Sequence, residues 1–484
     1  MANGIIFAGE THPEAIARRV AAGELRRIAP GIYTEDTDST LEDVVRREWL
    51  EIVGHEFPSA VISDRSAVRG GPVDGVLYLV HDARVRDLEL PGLLVRARRG
   101  ASPLDGDAAL PGGLHMASRG RALAENAQLS RARNGNMRRT LTDTELADWI
   151  DRLCQLDGET RLVRYRAEAQ KVAASVGTTV AQLARVSALI GTAMGSQRAT
   201  SGSVALNARA HGHPVDHERL RLFDEIITTL RRSAPQHRPA HTVDSGRHLP
   251  FFEAYFSNFI EGTEFMLDEA IDIVYHEQTI PNRVGDSHDL LGTYRITSDL
   301  AGMSERASTP REFLELLRMR HAILLGGRLD MQPGEFKQAA NRAGNTTFVM
   351  PELVPGTLAE GWRRLQDLDT AFERAVYTMF LIAETHPFAD GNGRTARIFA
   401  NSELVAGNEC RIIIPTVYRT DYLDGLRLLS RQSNAELLVK VLRFAQDFTR
   451  AIDFRELEIA RVQLEQAHAF EEPESPNRLI IPTR

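Results

Sequence analysis

The chain has 484 residues, of which 43% are hydrophobic, so it can form two or three domains with apolar cores. Its formal net charge of −8 argues against a surface that coats nucleic acid. Two cysteines, Cys154 and Cys410, are too few for a disulfide framework or a cysteine metal cluster. The N-terminus lacks a basic segment before its short apolar stretch, and no apolar stretch reaches the length of a membrane span. We therefore expect a cytoplasmic protein without membrane attachment.

The first segment with a clear pattern is residues 14–33, which predict a helix, a short strand and a wing-like turn. Downstream we expect a helix at Leu41–Phe57 and strands at Val76–Val80 and Leu93–Ala97. The segment resembles the winged-helix start of abortive-infection type IV antitoxins, and four residues carry the resemblance: Gly23, Leu25, Gly31 and Tyr33. It implies an α+β, winged-helix-like regulatory domain over residues 1–135.

Four arginines in this segment give it two interpretations. Arg18, Arg19, Arg26 and Arg27 could contact DNA phosphates, which would make DNA a partner. They could equally be solvated residues of a domain that docks on the rest of the chain or on another protein. Too few residues precede Glu14 to form the first helix of an ordinary helix-turn-helix motif, so both interpretations stay open.

Composition indicates where the later domains begin and end. Residues 134–138 predict a loop, Leu141–Ser196 has helical periodicity, and residues 200–203 predict a flexible joint. The expected divisions are a helical connector over 136–214, a mainly helical catalytic domain over 215–455, and a C-terminal helix end and tail over 456–484.

Two short segments precede the main motif. Ser257 and Glu261 are four residues apart and share one face of a predicted helix, and Gly262 suits its C-terminal cap. Farther along, Thr346, Thr347, Phe348 and Val349 have strand propensity and follow a predicted turn at residues 343–345. Taken alone, these segments are a surface helix with a solvated carboxylate and an ordinary surface hairpin.

The most informative segment is residues 386–397, His-Pro-Phe-Ala-Asp-Gly-Asn-Gly-Arg-Thr-Ala-Arg. Helical periodicity predicts one helix over Arg363–Thr385 and a second over Thr395–Ala406, so the segment joins two helices. The start of the second helix presents free N–H groups and the positive end of the helix dipole to an anion. The segment therefore predicts a site for a nucleotide polyphosphate.

Each polar residue of the segment suits that ligand. Gly391 and Gly393 allow close approach to an anion, Asn392 adds an amide donor, and Arg394 and Arg397 can bind phosphate oxygens in forked pairs. Two further residues serve the chemistry: Asp390 as a hard oxygen ligand for Mg²⁺, and His386 as a base for an incoming hydroxyl. Singly, each of these residues is more often part of an ordinary turn or a solvated helix.

Residues 386–397 match the motif H-x-F-x-[DE]-G-N-G-R-x-x-R of the Fic family at every fixed position. This resemblance implies a helical bundle with a β-hairpin flap, and an enzyme that transfers AMP from ATP to a Ser, Thr or Tyr hydroxyl of a target protein. It implies that His386 deprotonates the hydroxyl and that Asp390 holds Mg²⁺. The remaining motif residues would bind the phosphates, with Arg397 on the γ-phosphate.

The same family gives the other segments roles. Ser257 to Gly262 resembles the Fic inhibitory motif, in which Glu261 would pair with Arg397 and withhold it from ATP. Thr346, Thr347, Phe348 and Val349 resemble the flap that clamps the target as an added strand, with Lys337 where the usual pattern has arginine. Tyr422 occupies a place where Fic proteins often line the adenine pocket.

Several alternatives remain at this stage. The enzyme could use another donor, or could remove AMP with Glu261 orienting a water. The chain could instead be a DNA-binding regulator whose Fic half senses a nucleotide. A homodimer is compatible with the sequence, which does not determine the oligomeric state.

Overall fold

The computed structural model describes residues 4–132, 137–197, 201–232, 236–344 and 346–482. These residues divide into two compact units, Met1–Gly212 and His213–Arg484. Most of the loop predicted at residues 134–138, the start of the joint predicted at Thr200, and Asn345 of the predicted flap turn lie outside the described residues.

The N-terminal unit begins with a small antiparallel sheet beside one helix. Strands β1, β2 and β3 are Ile5–Phe7, Arg26–Ala29 and Ile32–Thr34, in the order β1-β3-β2, and helix α1 is Pro13–Ala21. Pro13 suits the first turn of α1, and Gly31 turns the chain between β2 and β3 with a φ of 82°. The helix, strand and turn predicted over residues 14–33 are therefore present, whereas the winged-helix interpretation stays a prediction.

A six-stranded mixed sheet follows. Its strands are β4 Val61–Ile62, β5 Val76–His81, β6 Asp87–Leu90, β7 Leu93–Arg99, β8 Ala108–Ala109 and β9 His115–Met116, in the order β6-β7-β5-β4-β9-β8. Helix α2, Leu41–Glu56, packs Ile52 and Val53 into the same apolar core as Leu77 and Val95 of the sheet. The predicted helix and strands are thus confirmed to within two residues at each end.

The rest of this unit is helical. The helices are α3 Asp64–Arg69, α4 Arg119–Asn126, α5 Asp143–Val172, α6 Val180–Ala193 and α7 Val204–Ala210. One hydrophobic core joins α4 to α7 with Val61 of the sheet and Ala67. Gly158 interrupts α5 with a φ of 78°, a backbone conformation that glycine adopts without strain.

Three of the arginines considered for DNA binding have partners inside this unit. Arg19 forms an ion pair with Glu35 at 2.7 Å, Arg26 donates to the carbonyl of Ser39 at 2.6 Å, and Arg27 donates to the carbonyl of Ala29 at 3.4 Å. These contacts favour the structural interpretation of the three side chains.

The C-terminal unit is a helical bundle with one short hairpin. Its helices are α8 His217–Arg231, α9 Leu249–Ile260, α10 Leu267–Tyr275, α11 Val284–Ser298, α12 Leu300–Ser304, α13 Pro310–Leu324, α14 Val354–Leu365, α15 Ala371–Thr385, α16 Asn392–Ala406, α17 Arg419–Gln432, α18 Glu436–Ala451 and α19 Leu457–Gln466. The hairpin strands are β10 Arg342–Ala343 and β11 Thr346–Thr347. A mainly α unit with a hairpin therefore follows an α+β unit, which confirms the predicted fold class.

Two predicted helix boundaries are wrong. The helix expected over residues 363–385 is two helices, α14 and α15, because the side chain of Thr370 accepts a hydrogen bond from the N–H of Glu373 and that of Glu373 accepts from Thr370. This reciprocal cap starts a new helix at Ala371. Helix α16 begins at Asn392 rather than Thr395, since Gly391 takes the left-handed conformation at its N-terminal cap.

The predicted strand over residues 346–349 is also shorter than expected. Only Thr346 and Thr347 pair with β10, and Phe348 and Val349 lie beyond the strand. None of the helices within the described ranges has both the length and the apolar character needed to cross a membrane.

Candidate active site

His386 lies at the junction between α15 and the motif loop. It ends α15 in the left-handed conformation, with a φ of 50°, and its backbone N–H donates to the carbonyl of Ile382 at 2.9 Å. Its Nδ1 lies 3.2 Å from the carbonyl of Ala383, so Nδ1 carries the proton and Nε2 is left as the acceptor. Burial lowers the pKa of His386 to about 4, which keeps the imidazole neutral and able to take a proton at neutral pH.

Phe388 and His321 fix the loop after His386. The Phe388 ring is fully buried and stacks on the His321 imidazole, with centroids 3.6 Å apart. His321 Nε2 donates to the carbonyl of Asp390 at 3.0 Å, because Nδ1 accepts from the N–H of Gly334 at 2.9 Å. His321 therefore joins the motif loop to the segment that leads into the hairpin.

The side chain of Asn392 does not face an anion, contrary to the prediction. Its Oδ1 accepts from the N–H of Phe388 at 2.8 Å and its Nδ2 donates to the carbonyl of Phe388 at 2.9 Å. The amide oxygen and one amide hydrogen of Asn392 thus close the loop on itself.

The first turn of α16 is a candidate anion-binding corner. Gly391 caps the helix with a φ of 73°, and the backbone N–H groups of the first turn have no partner within the helix. A Cβ atom on Gly393 would lie 2.1 Å from Oε1 of Glu261. Glycine at this position therefore lets a carboxylate lie directly over the helix start.

Arg394 is held from inside the bundle. Its side chain is 3% exposed, and its Nη1 lies 2.6 Å from Oδ2 of Asp289 on α11 and 3.3 Å from Oδ1 of Asn258 on α9. Its Nη2 lies 3.5 Å from Oδ2 of Asp390. The guanidinium thus spans from a buried carboxylate to the edge of the motif loop.

Arg397 is held by the end of α9. Its Nε donates to Oγ of Ser257 at 2.9 Å, and its Nη2 donates to the carbonyl of Ser257 at 2.8 Å and to Oε1 of Glu261 at 2.7 Å. Gly262, with a φ of 85°, turns the chain away after α9. The structure therefore brings Ser257, Glu261 and Arg397 together in one set of contacts.

Asp390 is the candidate ligand for Mg²⁺. Its side chain is 45% exposed, so the carboxylate is open to solvent beside the anion-binding corner. Within the described ranges, no three His, Cys, Asp or Glu side chains converge to form a metal cage. A single hard carboxylate fits a magnesium ion that takes its other ligands from phosphate oxygens and water.

A cavity of about 330 Å³ is lined by some of these groups. One end has Glu261, Gly393 and Arg397, and His386 lies beside them. Tyr422 on α17 is 1% exposed and lines the same cavity, with its ring centroid 6.0 Å from Cζ of Arg397. The cavity is large enough for a small ligand that reaches from the anion-binding corner to α17.

The hairpin covers one side of this cavity. Arg431 of α17 donates to Oγ1 of Thr346 at 3.3 Å, and Arg219 of α8 donates to the carbonyl of Thr347 at 2.5 Å. Phe348 lines the cavity. The side chain of Val349 is fully buried and lies in the core. Its role in a flap that pairs with a target strand stays a prediction.

Three site residues were not found from the sequence. His321 has a weak local signal, since it lies four residues after Leu317 and three before Leu324 on the apolar face of α13. Arg219 lies far from the motif along the chain. Glu384 did give a signal that was overlooked, namely a carboxylate inside the apolar end of α15, directly before the motif.

Comparisons with known proteins agree with this geometry. Residues 313–404 match the Fic/DOC family. The chain is 26% identical over 191 residues to "Protein adenylyltransferase fic-1" of Caenorhabditis briggsae, covering 38% of this chain and 37% of that protein. It is 28% identical over 230 residues to "Protein adenylyltransferase Fic" of Drosophila willistoni, covering 43% of each.

The chain thus spans about two-fifths of the length of the curated relatives it matches. Among solved structures, residues 134–508 of Fic-1 from C. elegans superimpose with a TM-score of 0.37 and 17% identity, over 63% of this chain and 86% of that one. The family match rests on the segment that contains His386, the anion-binding corner and both arginines. Residues 313–404 therefore form a domain of the Fic/DOC family.

Proposed function

We propose that this protein is an adenylyltransferase that transfers AMP from ATP to a Ser, Thr or Tyr hydroxyl of a target protein. The observation that carries the proposal is one cavity lined both by His386, whose neutral imidazole keeps Nε2 as an acceptor, and by Gly393 and Arg397 at the start of α16. The names of the curated relatives support AMP as the transferred group.

The proposed reaction is an in-line displacement at the α-phosphorus. The hydroxyl oxygen of the target forms a bond to that phosphorus, the bond to the bridging oxygen of the β-phosphate breaks, and pyrophosphate leaves. His386 Nε2 takes the hydroxyl proton. Catalysis then depends on positioning and charge stabilisation, which the helix start at Gly391 and Gly393 and the guanidinium of Arg394 supply. Asp390 would hold Mg²⁺, which neutralises phosphate charge when bound.

We further propose that Glu261 inhibits this reaction. Its carboxylate lies against Gly393 and forms an ion pair with Arg397, so it occupies the corner where phosphate charge has to bind. ATP would bring more negative charge to the same place and needs Arg397 for its γ-phosphate. Binding in the productive position therefore requires Glu261 to leave.

Removal of AMP from a modified protein is the second candidate. It is favoured by the position of Glu261, whose carboxylate is 32% exposed and lines the same cavity as His386, where it could orient a water. The two candidate functions predict different effects of replacing Glu261. If Glu261 inhibits AMP transfer, its loss should raise the rate of transfer. If Glu261 orients the water that removes AMP, its loss should abolish removal.

The test is incorporation of label from α-labelled ATP with Mg²⁺, into the protein itself and into a cell lysate. The unmodified protein is compared with Glu261→Gly, with Glu261→Gly/His386→Ala, and with Glu264→Gly, a change at an exposed glutamate three residues along the chain. We expect label to rise with Glu261→Gly only, and to vanish when His386 is also replaced. Absence of label in every variant, despite measurable ATP binding, would contradict AMP transfer. If the unmodified protein removes label from a target that was labelled beforehand, and the Glu261→Gly protein does not, removal of AMP would be established.

A further inference from the structure

Glu384 places a buried carboxylate in the wall of the cavity. It lies on α15, two residues before His386, and its side chain is 5% exposed. It lines the cavity together with Leu423, Leu426 and Ser430 of α17. Burying a carboxylate costs free energy unless other groups satisfy it, so its position calls for a partner.

Only one of the two carboxylate oxygens has partners in the described part of the chain. Oε1 lies 2.8 Å from Nε of Arg219 and accepts a hydrogen bond from Oγ of Ser430 at 3.1 Å. Arg219 also donates to the carbonyl of Thr347 in the hairpin, so Glu384 is fixed between α8, α17 and the flap. Oε2 accepts no hydrogen bond from a described residue, and it is not among the fully enclosed atoms that lack a partner. Oε2 is therefore an acceptor available to a ligand in the cavity.

The surroundings restrict what this acceptor can bind. Leu423, Leu426 and the Phe348 ring give the cavity apolar surfaces, which suit the faces of a flat ring. Burial raises the pKa of the Glu384 carboxyl to about 7, so it is ionised in only part of the molecules near neutral pH. In its ionised form it offers acceptors only, and the complement of that form is an N–H or O–H group on the edge of the ring. The negative phosphates of the same ligand would lie on Arg397 and the helix start at Gly393, which line the same cavity.

We infer that Glu384 is a specificity-determining residue of the nucleotide site, and that its Oε2 accepts a hydrogen bond from the exocyclic amino group of the adenine base. The inference rests on the proposed function, because it takes the cavity to be the site of the ATP donor. A base without an N–H group at this position would leave the buried Oε2 without a hydrogen-bond partner. The free-energy cost of that unsatisfied acceptor would make such a nucleotide bind more weakly than ATP.

The test compares ATP with purine riboside triphosphate, which has hydrogen in place of the amino group. Dissociation constants are measured by calorimetry with Mg²⁺ on the full chain carrying Glu261→Gly, with and without Glu384→Ala. Glu403→Ala is the matched control, since Glu403 is also a buried carboxylate paired with an arginine, Arg374, but does not line the cavity. Thermal unfolding establishes that each variant is folded.

We expect ATP to bind about tenfold or more tightly than the analogue when Glu384 is present. The ratio of the two dissociation constants should fall to about one in Glu384→Ala and should be unchanged in Glu403→Ala. ATP and the analogue are also compared on the protein that retains Glu384. That comparison tests the inference even if the Glu384→Ala variant does not fold.

Three results would overturn the inference, and they differ in what else they contradict. Equal binding of ATP and the analogue would remove the base contact while leaving the proposed function intact. A preference that survives Glu384→Ala would assign the amino group to another residue. No binding of ATP to any variant would contradict the proposed function itself.

Discussion

The aromatic ring of Phe348 lies flat on the imidazole of His386, with ring centroids 3.8 Å apart and planes within 5° of each other. Phe348 follows the second strand of the hairpin and His386 ends α15, so the stack joins the flap directly to the proposed base. The hydrogen bond from Nδ1 of His386 to Ala383 leaves the ring free to tilt, and the stack limits that motion. The flap therefore has a positioning role in addition to the target contacts predicted for it.

Phe348→Ala should lower the rate of AMP transfer at saturating ATP. Offset-stacked aromatic pairs contribute about 0.5–1.5 kcal/mol, so a loss of about three- to tenfold in rate is expected in the Glu261→Gly background. Phe348→Tyr retains the aromatic face and should retain most of the rate. A full rate for Phe348→Ala would show that the stack does not position His386.

Gly393→Ala should change stability with a sign that depends on Glu261. With Glu261 present, the new Cβ would lie 2.1 Å from Oε1, so the carboxylate must move and its ion pair with Arg397 is lost. In the Glu261→Gly background that clash is absent, and alanine favours a helix over glycine by up to about 1 kcal/mol.

Urea denaturation without nucleotide measures this coupling. We expect Gly393→Ala to destabilise the unmodified protein and to stabilise, or leave unchanged, the Glu261→Gly protein, with the two effects about 1 kcal/mol apart. In the Glu264→Gly background the result should match the unmodified protein. Equal effects in all backgrounds would mean that Glu261 does not lie over Gly393 in solution.

Asp289→Asn should destabilise the C-terminal unit far more than Asp286→Asn on the same helix. Asp289 is fully buried, and its Oδ2 lies 2.6 Å from Nη1 of Arg394 and 2.8 Å from Nε of Arg328. Removing its charge leaves the buried Arg394 with only the half-exposed Asp390 carboxylate, 3.5 Å away, as an opposite charge, which costs about 3 kcal/mol. Asp286 is 31% exposed and pairs with Arg328 near the surface, so its loss should cost under about 1 kcal/mol. Chemical denaturation measures the stability of both variants. Similar denaturation midpoints would contradict the claim that Asp289 compensates a buried charge on Arg394.

The motif segment shows what the sequence can and cannot predict at this site. His386, Gly393 and Arg397 line one cavity because their spacing along a loop and a helix start determines their positions, whereas their roles stay predictions. The direction of the Asn392 amide was not predictable, since its two hydrogen bonds to the Phe388 backbone depend on how the loop closes.

Residues brought together from distant helices were harder still to predict. The carboxylate of Glu384 and the guanidinium of Arg219 are 165 positions apart in the chain and 2.8 Å apart in the fold. The boundary between α14 and α15, in contrast, could be predicted from the sequence. Thr370 and Glu373 have the spacing of a capping box, but the apolar periodicity continues through them and favours a single helix.

The stability of the unmodified protein should fall on acidification partly because of His321. This histidine is fully buried, and burial lowers its pKa from 6.5 to about 4. The unfolded chain therefore binds a proton below about pH 6.5 that the folded chain does not bind until about pH 4. Protonation would also remove the acceptor that Nδ1 provides for the N–H of Gly334.

His321→Gln isolates this contribution, because glutamine does not titrate and can still donate and accept a hydrogen bond. It should be less stable than the unmodified protein at pH 7, and the difference should narrow by about 2 kcal/mol between pH 7 and pH 5. Between pH 7 and pH 9 the histidine is neutral in both states, so the difference should stay constant and serves as the internal control. Denaturation midpoints across this range measure it, and a difference that stays the same from pH 9 to pH 5 would mean that His321 is not buried as a neutral side chain beneath the motif loop.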